Sequence, residues 1–132
     1  VATLISHIKN VLRRLDESEK RAVTQGSILL QSEIVRGISD ARPTGRFYRR
    51  GKRFHRASAP GQFPAVDTGV YRASITYLVQ RGATGWEGIV GTPMKVGRWL
   101  EFGTSRMAPR PHFRPSLLRA LPRLRQMKLG VG

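Results

Sequence analysis

Prolines at 109, 111 and 115 constrain this chain more than any other residues. Each fixes its own φ and pushes the residue before it out of the α region, so positions 108, 110 and 114 must be extended. Around them runs Arg98-Trp99-Leu100-Glu101-Phe102-Gly103-Thr104-Ser105-Arg106-Met107-Ala108-Pro109-Arg110-Pro111-His112-Phe113-Arg114-Pro115. A lone carboxylate, Glu101, sits between two large aromatics, and Gly103 stops the element before an arginine–proline ladder. With a ring or a cation at every second or third position, the segment is shaped to lie along another surface.

The charge says what kind of surface to consider. Twenty-four Lys and Arg face eight Asp and Glu, a net +16 over 132 residues, and Arg outnumbers Lys 19 to 5. Arginine is the cation suited to bidentate pairing with phosphate or carboxylate. Residues 42–56 hold seven cations and no acid, and residues 105–128 hold seven more and no acid. Two focused basic regions predict anionic partners, either nucleic acid or acidic protein faces.

The length suits one domain over 1–132 with a modest core. There is no cysteine, hence neither a disulfide framework nor a thiolate metal site. No apolar run approaches the ~20 residues of a membrane span. The first residues lack the basic n-region and long apolar stretch of a signal peptide, and the missing initiator Met suggests trimming or truncation. The expectation is a soluble protein of intracellular origin that acts without a membrane.

Along the chain, Leu4, Ile5, Ile8, Leu12 and Leu15 recur at helical spacing. Asp16, Glu17, Ser18 and Glu19 read as a cap and acidic first turn of a second helix reaching about Ile38, with Ala22, Leu29 or Leu30, Ile34 and Ile38 inward. One bent helix over 4–38 is the alternative. Residues 43–66 have no periodicity, and Gly45, Gly51, Pro60, Gly61 and Pro64 break any regular element among interleaved aromatics and arginines. They predict a long basic arm over 42–66, a loop or irregular hairpin. Its composition suits a nucleic-acid strip, docking to a neighbouring subunit, or a solvated arm without a ligand.

Val70–Ser74 predicts a short helix with Asp67 or Thr68 at its N-cap. Residues 75–80 and 86–91 predict a hairpin closed by a turn at 82–85. Lys95–Phe102 predicts a helix with Val96, Trp99 and Leu100 or Phe102 buried and Gly103 as its stop. The last helix should start at Pro115, bury Leu117, Leu121 and Leu124 (with Leu118 widening the stripe), and kink or break at Pro122. The class is α+β: N-terminal helices, a small antiparallel sheet with a central hairpin, and a C-terminal helix.

Catalytic readings fare poorly. Asp67-Thr68-Gly69 matches the aspartic-protease tripeptide, but the proline-broken 59–66 cannot supply the buried strand that such a site needs. His7, His55 and His112 lie on separate elements without metal-ligand spacing. A ribonuclease would rest on these scattered histidines alone, and no acidic cluster suits divalent ions. Glu101 is expected to form an ion pair with Arg98, Arg106 or an arginine of the last helix.

Three motifs then carry a resemblance. Phe63-Pro64-Ala65-Val66-Asp67-Thr68-Gly69-Val70-Tyr71-Arg72-Ala73-Ser74-Ile75, Val90-Gly91-Thr92, and the stretch from Trp99 to Leu117 stand in order. Together they resemble the small head–tail connector proteins of long-tailed phages and prophages, called neck or tail-completion proteins. The family reads roughly P-x-D-T-G-x-L-R-x-S-I, a hairpin, V-G-T, then L-E-F-G-T-x-x-x-x-P-R-P-F-x-R-P-A-L. About 55 residues match well, while Tyr71, Trp99 and His112 depart from it.

The resemblance implies a structural virion protein at the head–tail junction, with no catalytic step and no cofactor or metal. It implies a homo-oligomeric ring, a hexamer or a multiple, around the DNA channel. The partners would be portal, adaptor or head-closure proteins on one side and tail-terminator or tail-tube proteins on the other. Trp99, Glu101, Phe102, Arg106, Arg110, His112, Phe113 and Arg114 are then the candidate assembly residues. Arg46, Arg49, Arg50, Lys52, Arg53 and Arg56 are the candidates for contact with packaged double-stranded DNA. Asp67, Thr68, Gly69 and Gly103 are structural turn and cap residues. The alternative is a stand-alone, sequence-independent nucleic-acid-binding protein.

Overall fold

One helix, α1, runs from Ala2 to Ser39 without a break. At 1.5 Å per residue its 38 residues reach about 57 Å. The computed structural model describes residues 2–64, 66 and 69–127, with side chains from His7 onward except that of Arg50. Asp67 and Thr68, assigned above to a helix cap, lie outside the described residues.

The acids at 16–19 do not start a second helix; they lie mid-helix, and Asp16 and Glu19 have tertiary partners. Behind α1 come two separate antiparallel hairpins in place of one small sheet. The first pairs β1 (Phe47–Arg50) with β2 (Arg53–Arg56), and the second pairs β3 (Thr76–Gly82) with β4 (Gly85–Gly91). Asp16 accepts a hydrogen bond from Trp86 Nε1 at 3.1 Å and pairs with Arg81, while Glu19 accepts from the Trp86 backbone N–H at 3.1 Å. Lys20 and Arg81 lie over the Trp86 ring, each 4.9 Å from its centroid. In a chain so rich in arginine, these carboxylates anchor a hairpin tip. Gly88 of β4 meets Ser27 and Val23 of α1 so closely that a Cβ there would overlap the Ser27 hydroxyl.

The core is small. Ile34 and Ile38, one turn apart on α1, meet Ile75, and Leu30, Phe63, Tyr71, Val90 and Phe113 pack around them. Each fully buried Ile contributes roughly 1.5–3 kcal/mol. Residues Val70–Ser74 form α2, and Gly69 holds its N-cap position at φ 84°. Residues Lys95–Phe102 form α3, and residues Phe113–Gln126 form α4.

The last helix departs from its expected pattern. It begins two residues before Pro115, so Arg114, expected to be extended, is helical instead, its N–H and those of its two predecessors held by Glu101. The helix continues through Pro122. Its buried residues are Ser116 and Ala120, whereas Leu117 and Leu118 are exposed. Small side chains let α4 sit close on α1, where Leu124 reaches 3.2 Å from the position of a Gly26 Cβ. Arg123 pairs across that contact with the buried carboxylate of Glu33, which Arg36 also holds at 2.6 Å.

Candidate functional site

The site is a joint where α3, the proline ladder and α4 meet. Helix α3 divides cleanly: Val96, Gly97, Leu100 and Glu101 face inward, while Lys95, Arg98, Trp99 and Phe102 face solvent. The expected burial of Trp99 is therefore corrected, since it is 49% exposed, and of the alternatives Leu100 and Phe102 it is Leu100 that turns inward, Phe102 being 74% exposed. The inward face is occupied by Gly97, which lets Tyr71 and Thr92 press against the α3 backbone.

Glu101 has a different partner from the arginine expected. Its carboxylate accepts the backbone N–H groups of His112 (2.7 Å), Phe113 (3.0 Å) and Arg114 (3.0 Å). These are the donors that the start of α4 leaves unpaired. Pro115 has no N–H to satisfy, and Ser116 N–H already reaches His112 O at 3.3 Å. Thus one side chain eleven residues upstream caps the whole first turn, with its charge placed at the positive end of the helix dipole. Burial disfavours its ionised form, but the three N–H groups outweigh this and hold the carboxyl below its ordinary value.

His112 is fully buried. Its Nδ1 lies 3.0 Å from Arg110 O, which can only accept, so Nδ1 carries the proton and Nε2 accepts from the Tyr71 hydroxyl. Burial raises the Tyr71 pKa, and the Glu101 charge adds to it, so the phenol keeps its proton. Burial also lowers the His112 pKa, against the pull of the Arg110 carbonyl and Glu101. Nδ1 approaches Glu101 Oε2 at 3.2 Å, the spacing of an ion pair. With the imidazole neutral, that contact is a shared N–H.

The ladder between these ends is stitched down along its length. Gly103 N–H closes α3 on Trp99 O at 2.7 Å, and Thr104 and Met107 form an antiparallel bridge with Arg106 exposed at its turn. Arg110 donates from its backbone to Leu100 O (2.6 Å) and from its guanidinium to Ser58 O (3.0 and 3.1 Å) and Ala108 O (3.1 Å). Pro109 O accepts from Gly61 N–H at 3.0 Å. Phe113 packs toward the core beside the His112 ring, and Arg114 is exposed. Glu101, Arg110 and His112 are thus used inside the chain, while Trp99, Phe102, Arg106 and Arg114 face out.

Three groups here and at the α1–α4 contact share a pH consequence. Glu33 is held below its ordinary value chiefly by the hydrogen bond from Arg123. For Glu33, Glu101 and His112 alike the folded pKa lies below the unfolded one, so the unfolded chain binds more protons in acid. Their stabilisation is complete above about pH 6.5 for His112 and 4.5 for the carboxylates, and is lost as pH falls through the folded values. The urea midpoint should therefore fall steadily from pH 7 to pH 4. An unchanged midpoint over that range contradicts this electrostatic assignment.

The basic arm forms the β1–β2 ribbon, in register Phe47 with Arg56, Tyr48 with His55, Arg49 with Phe54 and Arg50 with Arg53. Tyr48 and His55 face a cavity of about 440 Å³ shared with Tyr71, Met94, Leu100 and Met107. The other face carries Phe47, Arg49, Phe54 and Arg56, all exposed. Arg46, Lys52 and Arg53 are exposed too, and the Arg50 side chain lies outside the described residues. Sequence reasoning missed the Tyr71–His112 pair and the Trp86 clamp. The available signal for the Trp86 clamp was a run of acids at 16–19 that a strongly basic chain would be expected to pair, and the Tyr71–His112 pair had none.

Among the described residues, no group of three or more His, Asp or Glu could hold a metal ion, and no helix is long and apolar enough to cross a membrane. No family model, curated protein or solved structure matches the chain.

Proposed function

We propose that this chain is a structural subunit of the head–tail junction of a long-tailed phage or prophage. It assembles with copies of itself into a ring around the DNA channel, between portal or head-closure proteins and tail-terminator or tail-tube proteins. In this reading it is a virion component and performs no catalytic step.

The observation that carries the assembly reading is how little the chain buries alone. Its accessible surface is 9657 Å². A compact monomer of 14.8 kDa is expected to expose only about 7,000 Å². Among the described hydrophobic residues, just Ile34, Ile38, Ile75 and Ala120 are buried. Residues 7–14 of α1 are exposed on all sides, with Ile8, Val11 and Leu12 uncovered. Leu78 and Ile89 form an uncovered cross-strand pair on β3–β4, and Trp99 and Phe102 stand out from α3. Different apolar patches on different sides suit a heterologous contact, in which one patch meets another on the next copy and the rotation closes a ring. The motif order from Pro64 to Leu117 supplies the phage assignment.

Replacing Trp99 and Phe102 together by serine should shift the purified protein from oligomer to monomer in native mass spectrometry. Its melting temperature at low concentration should stay within about 2 °C, because both rings lie outside the core. A wild-type chain that stays monomeric at every concentration and is never recovered with particles overturns the proposal. If that monomer also binds duplex DNA, the alternative of a stand-alone nucleic-acid-binding protein, which the exposed basic ribbon favours, takes its place.

A further inference from the structure

The outer face of the β1–β2 ribbon has a composition that neither ring assembly nor duplex binding requires. Phe47 is 62% and Phe54 78% exposed, on a strand pair that no described element covers on that side. Each ring is set directly across from an arginine, Phe47 from Arg56 and Phe54 from Arg49. The Arg56 guanidinium lies over the Phe47 ring, 4.6 Å from its centroid. The described cations of 42–56 make no salt bridge with a described carboxylate. Arg49 donates to the neutral carbonyl of Gly51, and Arg56 to those of Gly45 and Thr44. Their charge is therefore unspent.

We propose that this face binds single-stranded nucleic acid, with unpaired bases stacking on Phe47 and Phe54 and phosphates held by Arg49, Arg56 and the flanking Arg46 and Lys52. The charge selects a polyanion. The rings select among polyanions, because phenylalanine has no polar tip with which to meet a phosphate or read a groove edge. Its use is its flat face, and in a duplex the base faces are already covered by their neighbours. Diagonal positions on an antiparallel pair stand about 7–8 Å apart, so each ring can take its own base. An acidic protein segment would satisfy the arginines but leaves two aromatics alternating with guanidinium groups, where it offers carboxylates. The inference goes beyond the assembly reading and does not depend on it.

The test is fluorescence anisotropy with the full chain and three probes at matched salt: a labelled 20-nucleotide oligo-dT, a 20-base-pair duplex and poly-glutamate. Oligo-dT should bind at least tenfold more tightly than the duplex. Phe47→Ala with Phe54→Ala should weaken oligo-dT binding tenfold or more and change duplex binding less than twofold. Phe54→Trp should keep the affinity and show indole quenching on binding. Arg49→Gln with Arg56→Gln should weaken all three probes and flatten the salt dependence of binding. Both rings are exposed, so circular dichroism of the Phe variants should match wild type. The Trp99→Ser/Phe102→Ser protein should bind oligo-dT as wild type does, which separates this result from the fate of the ring.

Equal affinity for duplex and oligo-dT, or Phe variants that bind oligo-dT unchanged, would reduce the ribbon to a charge contact and overturn the proposal. Preferential binding of poly-glutamate would overturn it in favour of an acidic protein partner.

Discussion

Glu101→Ala should destabilise the folded chain by about 3–4 kcal/mol, one of the two largest effects expected of any single substitution discussed for this protein. Three backbone donors at the start of α4 converge on that one carboxylate. Losing an N-cap partner costs roughly 0.5–2 kcal/mol, and a donor left unpaired away from water costs about 1–3. The donors belong to one turn and share one acceptor, so the terms overlap and do not sum. Glu101→Gln keeps the shape and a neutral acceptor, loses the charge at the helix dipole, and should cost about 1–2 kcal/mol. Against a total stability of about 5–15 kcal/mol the alanine variant approaches the threshold of folding. Urea denaturation at pH 7 gives the ordering: wild type, then Gln, then Ala. An alanine variant within 0.5 kcal/mol of wild type would show that solvent serves the α4 start as well as Glu101 does.

The second large effect is at Gly103. Its φ of 76° and ψ of 175° place it in a region that is essentially glycine's alone. A Cβ there would also stand 2.9 Å from both Met107 O and Pro109 Cδ, backbone and ring atoms with little freedom to retreat. Strain of roughly 1–3 kcal/mol and crowding of similar size make Gly103→Ala a loss of about 3 kcal/mol. The ladder could relieve the clash by swinging away from α3, and that motion would pull the α4 start off Glu101. The two substitutions therefore break one joint. The Glu101→Ala/Gly103→Ala protein, if foldable, should lose at least 1 kcal/mol less than the sum of the single losses. Strict additivity in denaturation would mean that Gly103 and Glu101 act independently.

How much of this was legible follows from where the governing forces lie. The bounds of α2 and α3, the β3–β4 hairpin and the stop at Gly103 match local expectation, since helix stops, proline geometry and strand composition act over a few residues. The extended run as far as Pro111 follows from proline geometry, whereas Arg114 before Pro115 is helical because the α4 start docks on Glu101. Glu101 was legible as a residue with a structural duty, but its partner was not. An unpaired carboxylate beside many arginines reads as an ion pair, and only the docked helix presents three N–H groups in one direction. The acids at 16–19 mislead for a related reason. They have the composition of a helix start, and the hairpin tip that Asp16 and Glu19 bind lies some seventy residues away in sequence.

Amphipathic pattern also failed where size outweighed hydrophobicity. Leu117 and Leu118 are the apolar choice for α4, yet Ser116 and Ala120 take the interface because they allow the closer approach to α1. On α3 the aromatics lie outside and the glycine inside for the same reason. By itself the sequence determined the α+β class, most element boundaries, the extended run through Pro109 and Pro111 and the concentration of charge in two segments. Tertiary structure decided which charges remain unspent. Arg123 and Arg81 are paired with carboxylates that packing brings to them, whereas Arg49 and Arg56 stand on a ribbon that no described acid reaches. Coulomb and hydrogen-bond partners are chosen by distance in space, and sequence order records that distance only for near neighbours.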